Sequence, residues 1–392
     1  MDLSIPYLIL NHINRALFDR AVLPENEVDW VFVARMCKFQ SVSGLFWAGL
    51  QKCEKLPDPR FIEHFHKKDT QERFQYGHQQ REKQRVIQML EEEKIPYILL
   101  KGSRMRDFYP DPMTRTSCDI DILFQGDKDV EKRIHEKMLA FNYAFVVDCG
   151  TTINYLCKPV EFEMHRYLFD DRLDFHGFFD KVWEYSVPVE GSCERRLTEE
   201  FFYVYMVAHM AKHFSRYGSG VRPVIDLYLY NRRTPDAFDR QKAEKLLKQI
   251  DLYDFEQRLL ALTRAWFETG DLSEMDMKLT DYIMEAGIYG DSRIMSANTT
   301  KDPEKANEVR RKKILFYLFP SKEIMTRLYP GMMKFPAMLP VAWVRRWCKG
   351  AFTGSRDKAV DNLKKHNDVD KGFVSHVSEM ISELHLNKED IQ

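Results

Sequence analysis

The chain has 392 residues with 59 basic and 60 acidic side chains, and 44% of it is apolar, which indicates a globular protein long enough for two or three domains. Glycine (17) and proline (16) are both scarce, so disorder and collagen-like structure are excluded and long helices are favoured over an all-β design. A net charge of -1 argues against a protein that mainly coats nucleic acid, because such binding needs a large basic excess.

Cysteine usage and hydropathy bear on the compartment. The seven cysteines include no CxxC pair, so neither a disulfide framework nor a zinc site of the usual spacing is expected, and a cytoplasmic location is predicted. The first residues lack the basic region of a signal peptide, and no segment approaches the ~20 apolar residues that cross a bilayer. We therefore expect neither secretion nor membrane insertion.

Residues 1–94 are predicted to form an N-terminal helical region. Apolar side chains at helical spacing over residues 28–52, interrupted by a Ser-Gly break, predict two amphipathic helices that pack together. A long, densely charged helix is predicted from residue 60 to about residue 93, since no proline follows Pro59 there.

Residues 95–190 are predicted to form the catalytic core. Strand-length, β-rich runs occur at 96–102, 119–124, 143–148, 153–158 and 160–169, and residues 127–142 have helical periodicity. This order predicts a small mixed sheet with a crossover helix. Residues 191–392 return to helical patterns, so the predicted fold class is α+β and helix-rich, with helical regions on both sides of the core.

Acidic residues on predicted neighbouring strands indicate a metal site. Asp119 and Asp121 lie on one strand, and Glu161 and Glu163 lie on a later one. Alternate residues of a strand share a face, so Asp119 and Asp121 project together while Ile120 points into the core. Carboxylates about 6.5 Å apart repel by roughly 2.5 kcal/mol at an effective dielectric constant of 20, and a cation removes that cost. Mg²⁺ suits such a site because it binds few carboxylates and completes its shell with water and substrate phosphate.

Phosphate-binding candidates lie before this pair in the chain. Gly102 follows a predicted strand and allows close approach of backbone N–H groups to a phosphate, and the Ser103 hydroxyl adds a donor. Lys101 and Arg115 are candidates to neutralise a triphosphate, and the alternative is that they pair with the carboxylates.

The segment LLKGSRMRDFYPDPMTRTSCDIDILF resembles the nucleotidyltransferase core of the DNA polymerase β superfamily, and specifically the uncharacterised bacterial nucleotidyltransferase family NTP_transf_5. The resemblance extends to VDWVFVARMCKFQSVSGLFWAGL, EFEMHRYLF and LFPSKEIMTRLYP. It implies that Asp119 and Asp121 ligate Mg²⁺ or Mn²⁺ and that Glu163 is the third carboxylate, with Glu161 as the runner-up. It also implies transfer of a nucleoside monophosphate, expected to be AMP from ATP, to a hydroxyl-bearing acceptor with release of pyrophosphate.

Helical residues further along the chain are secondary candidates. His209 and His213 are one turn apart, and Arg222 and Asp226 repeat that spacing. The resemblance implies that His213 and Asp226 contact the nucleotide or the acceptor, whereas the alternative for the histidines is a packed pair without a ligand. His165 shares a strand face with Glu163 and is expected to orient it.

Other functions stay open at this point. A DxD motif also binds the metal of nucleotide-sugar glycosyltransferases, although the chain lacks room for their doubly wound sheet before residue 119. A degenerate core used as a binding scaffold is a second alternative, and the presence of every acidic position argues against it. The acceptor is expected to be a small molecule, a protein side chain or an RNA end, and the neutral net charge disfavours RNA.

Overall fold

A five-stranded sheet lies between two helical regions of the chain. The structure is a computed structural model that describes residues 4–19, 28–54, 56–117, 119–170, 175, 177–300, 311, 315–316, 318–329, 336–352 and 370–387. The strands of this sheet are β1 (Tyr97–Leu99), β2 (Asp119–Phe124), β3 (Ala144–Asp148), β4 (Thr152–Cys157) and β5 (Val160–His165). Their order is β1-β2-β5-β4-β3, with β2 and β5 parallel and the other pairs antiparallel. The predicted mixed sheet is therefore confirmed.

Helices account for most of the described chain, as the predicted helix-rich α+β class requires. They are α1 (Ser4–Phe18), α2 (Trp30–Phe39), α3 (Ser43–Leu50), α4 (Pro59–Glu92), α5 (Lys101–Met105), α6 (Lys128–Ala140), α7 (Glu199–Tyr217), α8 (Val221–Arg232), α9 (Arg240–Gln249), α10 (Tyr253–Arg264), α11 (Glu274–Ala286), α12 (Ser292–Thr300), α13 (Lys322–Leu328), α14 (Leu339–Phe352) and α15 (Lys371–Glu383). Within the described ranges, no helix has both the length and the hydropathy needed to cross a bilayer.

Helix α5 replaces the end of a predicted strand. We predicted a strand over residues 96–102, but β1 ends at Leu99 and α5 begins at Lys101. The last pairing with β2 is the hydrogen bond from Leu100 N to Asp121 O, at 3.1 Å, after which the backbone turns into the helix. Gly102 and Ser103 therefore lie in the first turn of a short helix that starts beside Asp121.

A second, two-stranded sheet was not predicted. Its strands are β6 (Ser186–Pro188) and β7 (Arg195–Leu197), and this hairpin spans the boundary that we predicted between residues 190 and 191. A bridge between Tyr97 and Glu194 attaches the hairpin to the edge of the larger sheet next to β1.

The two faces of β2 contact different hydrophobic cores. Ile120, Ile122 and Phe124 are buried in a core formed by the sheet with helices α4 and α6, which confirms the predicted inward orientation of Ile120. Leu123, on the opposite face, belongs to a larger core built from the helices of both ends of the chain. Asp119 and Asp121 share that second face because side chains alternate along a strand. The acidic face of the sheet is thus the face turned toward the larger core, which is built from the helices of both ends of the chain.

Replacing Gly49 with alanine is expected to destabilise the packing of α3 against α1. A Cβ on Gly49 would lie 1.8 Å from the backbone oxygen of His12, so the two helices would have to separate. We expect the free energy of unfolding to fall by about 1–3 kcal/mol, as measured by urea denaturation. Gly77→Ala is the control: Gly77 lies in α4 with no atom within 4 Å of the added Cβ, and this change should raise stability by about 0.5–1 kcal/mol. Equal effects of the two changes would contradict the close packing at Gly49.

Candidate active site

The pairing register of β2 and β5 brings the acidic residues together. In this parallel pair, Asp119 is the partner of Glu161 and Asp121 is the partner of Glu163. All four side chains start on the same face of the sheet, because each strand places them two residues apart. The predicted convergence of acidic groups from two neighbouring strands therefore follows from the register.

Asp121, Glu163 and His165 form the tightest group of potential metal ligands among the described residues. One ligand atom from each lies within 4.8 Å of the others. His165 Nε2 is 3.2 Å from Asp121 Oδ1 and 3.6 Å from Glu163 Oε2. Asp121 is only 6% exposed, whereas the Glu163 side chain is 30% exposed. The group therefore has a buried end at Asp121 and a more accessible end at Glu163.

The charges in this group stabilise one another. Burial alone would lower the pKa of His165, but hydrogen bonds with Asp121 and Glu163 outweigh burial and raise that pKa above its ordinary value. Burial would likewise raise the pKa of Asp121, yet the interactions with His165 and Lys101 hold it below its usual range. The imidazolium form of His165 and the carboxylate form of Asp121 are both favoured at neutral pH.

Asp119 lies beside this group and is not part of it. Its Oδ1 accepts a hydrogen bond of 2.8 Å from Ser117 Oγ. Burial, and after it the charge of Asp121, raises the pKa of Asp119. We predicted that Asp119, Asp121 and Glu163 hold the metal. In the structure Asp121 and Glu163 lie together with His165, and Asp119 lies outside that group. Metal binding by Asp119, Asp121 and Glu163 stays a prediction.

Asn154, on β4, holds both glutamates of β5. Its Nδ2 donates to Glu161 Oε1 at 3.3 Å and to Glu163 Oε1 at 3.1 Å. Of the two glutamates, Glu163 also approaches His165 and belongs to the group around Asp121. Glu163, which we predicted as the third carboxylate with Glu161 as the runner-up, is thus the one of the two that lies in this group.

Lys101 faces the acidic residues from α5 and contacts α7. Its Nζ is 2.6 Å from Nε2 of His209. Burial, followed by the charge of Lys101, lowers the pKa of His209 well below its ordinary value, so the imidazole is neutral and accepts from the ammonium group. The rings of His209 and His213 lie 4.5 Å apart between centroids, and burial lowers the pKa of His213 to about 3. Of this pair, His209 is thus the residue that contacts Lys101.

Arg115 and Asp226 form a buried ion pair next to the acidic group. Arg115 Nε and Nη2 donate to the two oxygens of Asp226 at 2.8 and 2.7 Å, and Tyr109 OH donates to Asp226 Oδ1 at 2.8 Å. The remaining Arg115 nitrogen, Nη1, donates to Gly102 O at 3.1 Å. These contacts tie α8 to the turn at Gly102. In the structure, Arg115 and Asp226 bind each other. Direct contact of either residue with a nucleotide therefore stays a prediction.

The turn at Gly102 faces the carboxylates. A Cβ built on Gly102 would lie 3.8 Å from Asp121 Oδ2 and 3.7 Å from Ser117 Oγ, which are ordinary van der Waals distances. Asp121 Oδ2 is itself buried and has no hydrogen-bond partner among the residues that the structure describes. Burial of a carboxylate oxygen costs free energy unless a cation or a hydrogen-bond donor contacts that oxygen. The carboxylate oxygens present therefore fit a hard divalent cation.

Three residues of the site escaped the sequence analysis. Asn154 holds the glutamates, Ser117 holds Asp119, and Tyr205 is buried close enough to the acids that Asp121, after burial itself, raises its pKa. For two of these residues, the sequence contains a pattern from which their place in the site could have been predicted. Asn154 is a polar residue inside an apolar strand, and Ser117 lies two residues before Asp119 and so shares its face if the extended backbone continues.

The comparisons with known proteins agree with this geometry. The model of a family described as an uncharacterised nucleotidyltransferase matches residues 26–268, which is more than half of the chain and includes every acidic residue discussed above. No curated protein and no solved structure gives a match. The chain therefore belongs to the uncharacterised nucleotidyltransferase family, as its sequence motifs suggested.

Proposed function

We propose that this protein is a metal-dependent nucleotidyltransferase that moves a nucleoside monophosphate, with AMP from ATP as the expected donor reaction, to a hydroxyl group of an acceptor and releases pyrophosphate. The observation that carries the proposal is the in-register pair of Asp121 and Glu163, which faces the turn at Gly102. Membership of the family supports the reaction class. Donor, metal and acceptor are parts of the proposal.

Asp121 and Glu163, with Asp119 beside them, are the residues that would hold Mg²⁺ or Mn²⁺. When bound, such an ion neutralises phosphate charge and makes the acceptor hydroxyl more acidic. His165 positions both carboxylates by bridging them at 3.2 and 3.6 Å. Because that bridge restricts their rotation, the two side chains present their oxygens in a fixed relation to the Gly102 turn.

Lys101, Gly102 and Ser103 are proposed to bind the phosphates of the nucleotide. Lys101 supplies positive charge, and its contact with His209 orients the ammonium group. Ser103 supplies a hydroxyl donor, and the hydrogen bond from Arg115 to Gly102 O holds the turn in place. His213 and Asp226 are proposed to act behind these residues: His213 packs against His209, and Asp226 orients Arg115.

Glu163 is proposed to accept the proton of the acceptor hydroxyl, because it is the more exposed carboxylate of the group. The oxygen that results attacks the α-phosphorus of the nucleotide. The P–O bond to pyrophosphate breaks, and the electron pair of that bond leaves with the pyrophosphate.

The proposal is tested by incubating the chain with each α-labelled NTP, Mg²⁺ or Mn²⁺, and a pool of metabolites or a cell lysate. Label that becomes attached to an acceptor, together with release of pyrophosphate, supports it. Release of free UDP from a UDP-sugar, without transfer of label from any NTP, would overturn it in favour of glycosyl transfer. Binding of NTP without turnover under any of these conditions would favour a binding scaffold.

We expect Glu163→Gln to lower the transfer rate more than Glu161→Gln does. Both replacements keep the side-chain shape and the contact with Asn154, but only Glu163 belongs to the group around Asp121 and His165. Loss of a general base is expected to cost about 10²–10⁴-fold in rate. Initial rates at saturating NTP decide the point, and equal or reversed losses would remove Glu163 from this role.

A further inference from the structure

A cavity of about 700 Å³ lies next to the proposed active site, on the other side of α5. Its walls come from four stretches of the chain: the middle of α4, residues between 99 and 107, the β6–β7 hairpin with the start of α7, and residues between 237 and 242. Cavities of roughly 300–1,000 Å³ are typical of small-molecule binding sites. The cavity is therefore large enough for an organic ligand, and the residues so far assigned to metal and phosphate binding do not fill it.

A narrow gap, with room for about one water molecule, lies beside this cavity. Lys83, Ser103 and Arg106 line the cavity and also line the gap, whose other walls include Gly102 and Asp119. Ser103 is thus the residue shared by the proposed phosphate-binding turn and the cavity. Asp119 is the acidic residue of β2 that borders the gap.

Three of the six cations of the cavity wall are paired with carboxylates. Arg104 pairs with Glu199, Arg196 pairs with Glu194 at 3.0 Å, and Lys242 pairs with Glu200 at 3.3 Å. These side chains neutralise one another. They leave no net positive charge for a ligand at those positions.

Lys83, Arg106 and Arg195 have no carboxylate partner among the described residues, but Arg195 donates to Ser186 and to the backbone oxygen of Trp183. Lys83 is half-buried and has no hydrogen bond or ion pair with any residue that the structure describes. Arg106 is 6% exposed, lies over the Tyr76 ring at 4.7 Å, and donates from Nη2 to Gln79 Oε1 at 2.7 Å, which uses one of its five N–H donors.

The charge of Arg106 disfavours the charged form of Lys83, and the nearby Asp107 and Glu194 oppose this effect in part. Burial lowers the pKa of Lys83, and the positive charge of Arg106 lowers it further. Lys83 and Arg106 are two like charges that repel each other, as the paired carboxylates nearby do. An anion between the two cations would remove this repulsion.

We propose that this cavity binds the acceptor and that the acceptor carries a phosphate group, which Lys83 and Arg106 hold at the mouth of the gap. Lysine as a point charge and arginine as a planar fork are the usual pair for phosphate. The rest of the acceptor lies against the Tyr76 and Phe202 rings, and its hydroxyl lies toward Ser103, which the cavity shares with the phosphate-binding turn. This inference rests on the proposed nucleotidyl transfer, and the nucleotide's own phosphates are the other source of the same chemistry.

The experiment measures binding of inorganic phosphate to the full chain by calorimetry, with Mg²⁺ and a saturating ATP analogue that cannot be cleaved at the α-phosphorus. We expect phosphate to bind in the presence of the analogue, and Lys83→Gln to weaken that binding by about tenfold or more. Lys67→Gln is the matched control, since Lys67 is an exposed lysine on the same helix, and it should leave binding unchanged. Circular dichroism verifies that both variants are folded.

Two results would overturn the inference. Phosphate binding that Lys83→Gln leaves unchanged would remove Lys83 from the site, and displacement of phosphate by the analogue would assign the cavity to the nucleotide. Failure of the proposed function would give a different experimental result. The chain would then transfer no label from any NTP, while Lys83-dependent phosphate binding would persist.

Discussion

Asp121→Asn is expected to lower the rate of nucleotidyl transfer on the order of 10³-fold, because one preorganised charge is lost at the reacting centre. Asparagine keeps the size of the side chain but removes the charge that favours the imidazolium form of His165 and that would hold a cation. Rates are measured by transfer of α-label from NTP at several Mg²⁺ and Mn²⁺ concentrations. A loss in kcat that added metal does not restore is the expected pattern.

The same variant has a clear control. Asp129→Asn removes an exposed carboxylate of α6 and should leave the rate within about twofold, as expected for a surface substitution. Melting curves show whether either variant is misfolded. If Asp121→Asn retained wild-type activity while folded, the in-register acidic pair would have no part in the reaction and the proposed function would fall.

Arg115→Met is expected to lower the free energy of unfolding by about 3–5 kcal/mol, which is typical of breaking a buried ion pair from one side. The change leaves Asp226 buried with a hydrogen bond from Tyr109 but without a neutralising charge. It also removes the donor to Gly102 O. Urea denaturation followed by circular dichroism measures the loss. Arg133→Met, at an exposed pair with Glu93, should change stability little.

The double variant Arg115→Met with Asp226→Leu separates charge from packing. If the loss comes from an uncompensated charge, the double variant should be more stable than the sum of the two single losses predicts. Strict additivity would show that the two side chains act independently and would contradict the ion pair. We expect reduced activity in the double variant as well, because the hydrogen bond from Arg115 that holds the turn at Gly102 is then lost.

The sequence predicted the strands of the five-stranded sheet well because their patterns are local. The run DIDILF alternates acidic and apolar residues, and it forms β2 over the same six residues, 119–124. The parallel register with β5 could not be derived locally, since it depends on a crossover that includes α6, β3 and β4. The convergence of Asp121 and Glu163 was predicted from the acidic pattern and from the family resemblance. The contacts of His165 with both carboxylates depend on the register and the rotamers, which the sequence does not give.

The pairing of Arg115 with Asp226 illustrates a second limit. The two residues are 111 positions apart, and the sequence offered phosphate contact or pairing with the site carboxylates as roles for Arg115. Its partner came from α8, which is a contact of tertiary structure that no spacing rule predicts. The cavity near Lys83 was missed for the same reason, because its walls come from four separate stretches of the chain.

Helix α4 belongs to both hydrophobic cores. Phe65, near its start, is buried among the helices, whereas Val86 and Leu90, near its end, are buried beneath the sheet. A helix of 34 residues is about 50 Å long at 1.5 Å per residue. Because one continuous helix joins the two cores, neither can lose its packing without disturbing the other, and the five-stranded sheet and the flanking helices should melt in a single cooperative transition.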